Sequence, residues 1–340
     1  MPSVSIIIPC LNEEKTIEQL LTALFNQTHP VSDLEVIIAD GNSTDGTLEK
    51  ISEWQKEHPV FSIRIVQNVK KIIPAALNTA LEAAAGTYII RLDAHSVPEQ
   101  DYVEKCVALL EEEKAQNVGG RWEILPGKDT WVARSIAQAA ASPIGVGDAK
   151  YRYSDQAGFV DTVPYGAYKK ETLISLGGYD ESLPINEDYD LNVRLRKSGG
   201  KIWFDPDIRC KYYSRKTFSE LALQYWRYGF WKLRMLKKYP GSIRLRQLIP
   251  PLFVLSLIIL AIGGIFWHRL SNVLLLVGIF YLTALLVVAI RTAGRKNDLT
   301  LLVGMPIAFI IMHLSWGSGF IWSLIKLIFR RTRKSETSSL

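Results

Sequence analysis

Cysteine is scarce in this 340-residue sequence: only Cys10, Cys106 and Cys210 are present, and they lie far apart. Their odd number and wide spacing argue against a disulfide framework and fit no cysteine-based metal site. We therefore expect a protein that folds in a reducing compartment.

Other common features are also missing. The chain opens with a short apolar run, residues 4–8, without a basic flank, so we expect no cleavable signal peptide. There is no internal repeat, and the only low-complexity segment is the polar stretch 334–340. No Gly-rich, Lys-containing phosphate loop is present, which argues against a nucleotidyltransferase.

Charged residues are rare between residues 248 and 328, whereas residues 1–247 carry most of the acids. The net charge is +6, and basic residues cluster beside the apolar part. A basic cluster next to an apolar segment fits an anionic membrane surface better than a nucleic acid. We therefore expect membrane lipid as a partner and no nucleic acid.

The apolar part contains three segments long enough to cross a bilayer, at about 248–268, 272–290 and 299–328. Arg244 and Arg246 precede the first segment and place the residues before it on the cytoplasmic side. Three spans would then put the basic tail outside, against the same rule, so a re-entrant last segment stays an alternative. We expect three hydrophobic helices and leave the side of the tail open.

Apolar runs and helical patterns alternate through the first part of the chain. Such alternation indicates βαβ units and a parallel sheet. The predicted strands are residues 4–8, ended by Pro9, and residues 34–39, 62–67, 88–92, 118–124 and 160–168.

Polar residues follow three of these strands: Asn12 and Glu13, then Asp40, then Asp93. The carboxyl ends of parallel strands meet at one edge of a sheet, where open α/β folds bind ligands. Each residue alone would be an ordinary solvated loop residue. Together they predict a nucleotide site, with Asp40 accepting a hydrogen bond from a base or a ribose.

Two acidic motifs are candidates for chemistry. Asp93-Ala94-His95 ends an apolar strand with an oxygen and a nitrogen ligand, which suit Mn²⁺ or a similar ion, with Mg²⁺ also compatible; the alternative is a turn before a helix. Glu187-Asp188 opens a predicted helix, and the helix dipole alone would explain acids there. Both interpretations stay open for each motif.

Several of these blocks together resemble the family 2 glycosyltransferases of the GT-A fold. The blocks are residues 4–13 (Val-Ser-Ile-Ile-Ile-Pro, two residues, Asn-Glu), 40–47 (Asp-Gly-Asn-Ser-Thr-Asp-Gly-Thr) and 92–95 (Leu-Asp-Ala-His). Their order and spacing agree over residues 4–240. Within the family, the chain is most similar to the membrane-tethered bacterial enzymes of exopolysaccharide assembly, the succinoglycan type.

Two positions depart from the family pattern. The usual paired acids of the second block are here Ala39-Asp40, with Asn42 inserted, which leaves one acid for the base and ribose. The usual Asp-x-Asp is Asp-Ala-His at residues 93–95, which keeps two ligands and softens the metal preference.

The resemblance implies a GT-A fold, a Rossmann-like mixed sheet with flanking helices, followed here by an all-α transmembrane segment. It implies a metal-dependent, inverting hexosyltransferase that moves a sugar from a nucleotide-sugar, with a UDP-sugar expected, to a lipid-linked saccharide in cell-surface polysaccharide biosynthesis. Asp188 would be the general base and Glu187 would orient the site. Mn²⁺ or Mg²⁺ would bind to Asp93 and His95, beside the leaving diphosphate. The residues expected to contact the nucleotide are Pro9, Asn12, Glu13, Asp40 and Asp93.

Five residues are expected on the acceptor side: Tyr165, Gly166, Gln224, Arg227 and Trp231. The last three belong to residues 218–236, whose aromatic and basic residues predict an amphipathic helix on the membrane. The stretch from Gln224 to Tyr228 is similar to the Gln-x-x-Arg-Trp motif of processive synthases, although an interfacial helix explains the same residues.

We expect four regions: a catalytic domain (1–216), an interfacial helix region (217–247), transmembrane helices (248–329) and a basic, polar tail (330–340). The protein would be a multi-pass protein of the cell (inner) membrane with a cytoplasmic catalytic domain and other polysaccharide-assembly proteins as partners. A processive synthase and a non-catalytic assembly protein stay as alternatives, although three spans are few for a channel and the retained acids favour activity.

Overall fold

The structure is a computed structural model that describes residues 3–336, with side chains through residue 329. It divides into two compact units: residues up to Glu123 together with Ala149–Tyr213, and Ile124–Asp148 together with the residues from Ser214 onward. Residues 124–148, expected within the catalytic domain, are thus part of the second unit. The expected basic and polar tail, residues 330–340, lies outside the residues with described side chains.

The described residues contain nine strands and twelve α-helices. The strands are β1 Val4–Cys10, β2 Leu34–Asp40, β3 Ser62–Gln67, β4 Tyr88–Arg91, β5 Val97–Pro98, β6 Asn117–Leu125, β7 Gly158–Phe159, β8 Ala167–Lys169 and β9 Ile202–Tyr213. The helices are α1 Ile17–Phe25, α2 Thr47–Glu57, α3 Ile73–Ala83, α4 Tyr102–Glu111, α5 Trp131–Ala140, α6 Pro143–Val146, α7 Lys170–Ser175, α8 Glu187–Lys197, α9 Phe218–Lys238, α10 Leu245–Phe266, α11 His268–Lys296 and α12 Leu301–Glu336.

The first unit is built on one mixed sheet with the strand order β3-β2-β1-β4-β8-β6-β9-β5, and β7 pairs with β9. β2 and β4 run parallel to β1, and β3 runs parallel to β2, as the alternating pattern predicts. Ile6 and Ile8 of β1 pack in the core with α1, and Ile7 packs on the opposite face with α3. Burial on both faces explains the uninterrupted apolar sequence of this strand. The shared direction brings the loops after β1, β2 and β4 to one edge.

Two predicted strands differ from the observed ones. β1 continues through Pro9 to Cys10, and its last pair with β4 is Ile7 with Arg91, so the missing N–H of Pro9 breaks no ladder hydrogen bond on that side. Residues 160–168 do not form one strand. Residues 160–166 are irregular and only Ala167 and Tyr168 of this range lie in a strand, β8; the irregular part contains Pro164 and Tyr165, whose backbone is left-handed with φ 48°.

The second unit contains three helices long and apolar enough to cross a membrane, Leu245–Phe266, His268–Lys296 and Leu301–Phe329. This confirms the three expected hydrophobic helices. Their large apolar side chains are widely exposed; Ile265 is 78% and Phe280 is 79% exposed. Apolar surface of this extent marks a membrane or a partner contact.

The helix α12 runs without a break through Pro306, so the re-entrant alternative for the last segment is wrong. The helix α9 packs along α12, and its Leu221 and Tyr225 belong to one buried apolar cluster with side chains of α12. A Cβ on Gly229 would overlap the carbonyl oxygen of Trp316, so the two helix backbones touch at this position. The helix expected on the membrane surface is therefore held against a membrane-length helix, and its contact with lipid stays a prediction.

Candidate active site

The loops after β1 and β2 hold one another at the edge of the sheet. The amide of Asn12 donates to Ser43 Oγ at 2.9 Å, and Asn12 Oδ1 accepts from the amide of Thr44 at 2.8 Å. Asn12 and Asn42 have left-handed backbones, with φ of 56° and 70°, which asparagine tolerates better than most residues. Pro9 is half-buried in the preceding strand. The two predicted nucleotide-binding blocks thus form one surface.

Asp40 stabilises its own loop. It is 5% exposed. Its Oδ2 accepts from the amides of Asn42 and Ser43 at 2.9 and 3.1 Å, and its Oδ1 accepts from the Ser43 hydroxyl at 2.6 Å. A carboxylate has about four acceptor positions. The amide of Ser43 also lies 3.3 Å from Oδ1, so the loop itself uses most of these positions, and contact with a base or ribose stays a prediction.

The segment after β4 forms the turn that sequence reasoning offered as an alternative to a metal site. Ser96 donates to the carbonyl of Asp93 from its amide at 3.0 Å and from its hydroxyl at 2.7 Å. The same turn places His95 Nδ1 2.9 Å from Glu13 Oε1. A carboxylate at Nδ1 favours the tautomer with its proton there and a lone pair on Nε2. The turn and metal ligation are therefore compatible.

Arg91 joins the two acidic motifs. It ends β4 and is 4% exposed. Its Nη2 lies 2.8 Å from Asp93 Oδ1 and 3.3 Å from Glu187 Oε1, and its Nη1 lies 2.8 Å from Asp188 Oδ2. The guanidinium carbon lies 5.2 Å from the centre of the Tyr165 ring. We call Arg91 and its three carboxylates the Arg91 cluster.

The Arg91 cluster holds more negative charge than one guanidinium neutralises. Burial, with the neighbouring Asp188 charge, raises the pKa of Glu187 to about 8 despite Arg91. Burial also raises the pKa of Asp188, against the effect of Arg91. The Asp188 side chain is 23% exposed and that of Glu187 is 10% exposed, so Asp188 is the more accessible of the two.

The acidic pair begins α8 because the backbone turns at Asn186, which is left-handed with φ 72°. The predicted apolar face of the helix, Leu191 and Leu195, is buried. In the same first turn of the helix, the fully buried Asp190 pairs with Arg194 at 2.8 Å, and Arg194 also donates to two backbone carbonyls in the segment before the helix. This second pair is balanced one to one and fixes the helix in the unit.

Tyr165 and Gly166 support Arg91 from inside the unit. Tyr165 is 1% exposed, and the backbone amide of Arg91 donates to the carbonyl of Gly166 at 3.2 Å. A Cβ on Gly166 would lie 2.5 Å from Asn117 Oδ1 and 2.6 Å from the Tyr168 hydroxyl. Both residues are thus packed beneath the cluster, and their contact with an acceptor stays a prediction.

The remaining acceptor-side candidates, Gln224, Arg227 and Trp231, lie on α9 in the second unit. Gln224 Nε2 donates to the Tyr228 hydroxyl at 3.0 Å. The guanidinium carbon of Arg234 lies 4.8 Å from the Trp231 ring centre. These contacts stay within the helix, so a role toward an acceptor is still a prediction.

The candidate metal ligands fit a divalent ion that is bound together with a substrate. Asp93 offers an oxygen and His95 a nitrogen, and the surplus charge of the Arg91 cluster favours a cation. Among the residues whose side chains are described, no three His, Cys, Asp or Glu side chains are grouped to enclose a metal. Mg²⁺-type sites commonly use one or two protein ligands and complete their shell with phosphate oxygens and water.

Known proteins resemble this chain over most of its length. The model of Glycosyl transferase family 2 matches residues 5–177. The chain belongs to this family. A dolichyl N-acetyl-alpha-D-glucosaminyl phosphate 3-beta-D-2,3-diacetamido-2,3-dideoxy-beta-D-glucuronosyltransferase of Methanococcus voltae is 32% identical over 335 residues, 96% of this chain and 98% of the relative. Succinoglycan biosynthesis protein ExoA of Rhizobium meliloti is 32% identical over 328 residues, 96% of each chain.

The fold is also shared with solved structures. The mannosyltransferase PcManGT from Pyrobaculum calidifontis, solved with GDP-mannose and Mn²⁺, has a TM-score of 0.62 and 20% identity, covering 93% of this chain and 87% of its own. The predicted GT-A fold and the predicted membership of glycosyltransferase family 2 are thus confirmed, and the protein is a glycosyltransferase. Glu187 and Asp188 lie beyond the segment that the family model matches.

Sequence reasoning missed Arg91, although it stands in the stretch treated as a buried strand. A charged residue at the buried end of an apolar strand needs a partner, and that was the available signal. Its partners on α8 are 96 and 97 residues away in sequence, and no local pattern identifies them.

Proposed function

We propose that this family 2 glycosyltransferase transfers a sugar, with inversion, from a nucleotide-sugar to a lipid-linked saccharide in cell-surface polysaccharide biosynthesis. The observation that carries the proposal is the Arg91 cluster, which brings the donor-side Asp93 and the accessible Asp188 to one guanidinium. The names of the two relatives support the acceptor class, since one acts on a dolichyl phosphate-linked sugar and the other serves succinoglycan biosynthesis.

In the proposed reaction, Asp188 accepts the proton of an acceptor hydroxyl as that oxygen bonds to the anomeric carbon. The bond from the anomeric carbon to the diphosphate oxygen breaks, and the nucleoside diphosphate leaves with the electron pair. One displacement reverses the configuration at the anomeric carbon. Glu187, whose pKa is raised by burial and by the neighbouring Asp188 charge, helps to hold Arg91.

Asp93 and His95 would hold a divalent ion, Mn²⁺ or Mg²⁺. When bound, such an ion stabilises the charge that develops on the leaving diphosphate. The Mn²⁺ in the mannosyltransferase of the same fold supports this assignment. The donor, with a UDP-sugar expected, would lie on the joined loops of β1 and β2, in contact with Pro9, Asn12, Glu13 and Asp40.

Three membrane-length helices support a multi-pass protein of the inner membrane. Arg244 and Arg246, just before the first span, support a cytoplasmic position for the catalytic unit. The acceptor would then approach from the lipid phase, with Gln224, Arg227 and Trp231 as its proposed contacts.

The test uses the purified full-length protein in detergent. Nucleotide-sugars are first screened for thermal stabilisation with and without Mn²⁺, and one donor class should raise the melting temperature only with the metal present. That donor is then incubated with a polyprenyl-phosphate-linked sugar, and mass spectrometry should show a single added residue. Long products would favour the processive alternative, and failure of every stabilising donor to react would contradict the proposal.

A further inference from the structure

The guanidinium of Arg91 divides its nitrogens between the two halves of the site. Its Nη2 lies 2.8 Å from Asp93, the proposed metal ligand, and its Nη1 lies 2.8 Å from Asp188, the proposed base. The planar guanidinium holds its two terminal nitrogens in a fixed relation, so it fixes where the two carboxylate oxygens lie relative to each other. One side chain therefore touches both the donor and the acceptor machinery.

The stoichiometry of the Arg91 cluster differs from that of an ordinary buried ion pair. On the same helix as Asp188, Arg194 pairs one to one with Asp190, the arrangement expected of a structural contact. Arg91 instead faces three carboxylates. Buried charge without full compensation destabilises a protein, so a purely structural arginine would not explain the two additional acids.

We propose that Arg91 is a positioning residue of the transfer reaction: its Nη1 aims the Asp188 carboxylate at the acceptor, and its Nη2 competes with the donor-site cation for Asp93. This inference rests on the proposed function. It makes Arg91 favourable for turnover and unfavourable for metal binding, two effects of opposite sign.

The opposite signs separate this role from a structural one. A structural arginine stabilises the folded site, so its loss weakens metal binding and turnover together. Loss of a positioning Arg91 should weaken turnover while strengthening metal binding, because a positive charge next to a metal ligand is removed. The packing of Arg91 on Tyr165 and Gly166 is common to both roles and does not discriminate between them.

The experiment compares Arg91→Met and Arg91→Lys in the full-length protein. We expect Arg91→Met to bind Mn²⁺ alone about fivefold more tightly than the wild-type protein, as measured by the EPR signal of the free ion. The same substitution should lower kcat about 10²-fold, because the base is misplaced. Arg91→Lys keeps the charge and loses the fork, so kcat should fall while Mn²⁺ affinity stays within about twofold. The matched control, Arg194→Lys, should lower the melting temperature and leave kcat and Mn²⁺ affinity within about threefold.

A double-mutant cycle tests the inference even if the Arg91→Met protein does not fold. In the Asp188→Asn background, Arg91→Lys should change kcat by less than about threefold, since the group that it positions is gone. Wild-type kcat in both Arg91 variants, weaker Mn²⁺ binding in step with lower kcat, or full additivity in the cycle would overturn the inference. If Asp188→Asn itself turns over like wild type, the proposed function fails first, which distinguishes the two failures.

Discussion

Replacing Asp188 by asparagine removes the proposed base and preserves most of its surroundings. Asparagine keeps an oxygen that can accept from Arg91 Nη1, now 2.8 Å from the carboxylate, and it has nearly the same shape. General-base loss typically costs ~10² to 10⁴ in rate. We expect turnover to fall by that factor. Donor affinity should stay within about threefold, because the donor is proposed to lie on the joined loops of β1 and β2, whereas Asp188 pairs with Arg91.

The charge balance of the Arg91 cluster sets the expected effect on stability. Breaking a balanced buried ion pair costs about 3–5 kcal/mol. Here the substitution leaves Arg91 with Asp93 and Glu187, so the remaining cluster is closer to neutral. We therefore expect the melting temperature to stay near that of wild type or to rise. The pKa of Glu187 should also fall below about 8, since the Asp188 charge is one cause of its elevation.

The assay measures initial transfer rate, donor affinity by calorimetry and a melting curve on one preparation of each protein. Turnover within a few-fold of wild type would refute the base assignment. A tenfold loss of donor affinity would instead move Asp188 to the donor side of the site. A large drop in melting temperature would show that the carboxylate is balanced by Arg91 and is primarily structural.

Three further predictions follow from single contacts. Asp93→Asn should lose the Mn²⁺-dependent part of nucleoside diphosphate binding in calorimetry, and an unchanged metal dependence would remove Asp93 from the metal site. Gly166→Ala should destabilise the protein by about 1–3 kcal/mol in denaturant unfolding, because its Cβ would lie 2.5 Å from Asn117 Oδ1; Gly158→Ala, with open space around it, is the control and should change little. Burial, with Glu13 and Asp40 nearby, raises the pKa of Cys10 to about 12, so only about one thiol in ten thousand is ionised at pH 8; alkylation should be negligible until the protein unfolds, and rapid labelling of the native protein would contradict this.

The parts of the fold that the sequence pattern predicts are those fixed by local chemistry. β1, β2 and β4 are apolar runs bounded by turn formers, and their parallel pairing brings Asn12 and Asp40 together as expected. The sequence pattern does not predict β9, because Asp205-Pro206-Asp207 at its centre has the composition of a turn. Its place in the sheet depends on distant partners.

In the candidate site, too, some features follow from local sequence and others depend on tertiary contacts. The motifs at Asp93 and Glu187 are visible as strand-end and helix-start acids, but their meeting at Arg91 depends on a tertiary contact across 96 residues. Residues 124–148 likewise belong to the second unit because α5 packs with α9 and α12. The periodicity of the sequence does not indicate this packing. Local pattern therefore identifies candidate side chains such as Asp93 and Glu187, and tertiary packing decides which of them lie together.

Single displacement at the anomeric carbon is the central claim, and the stereochemistry of the product tests it most directly. The donor selected by the thermal screen and the lipid-linked acceptor are incubated with the wild-type protein, and the anomeric configuration of the new linkage is read from NMR coupling constants. Inversion relative to the donor, abolished by Asp188→Asn, is the predicted result. Retention of configuration would contradict direct attack assisted by Asp188.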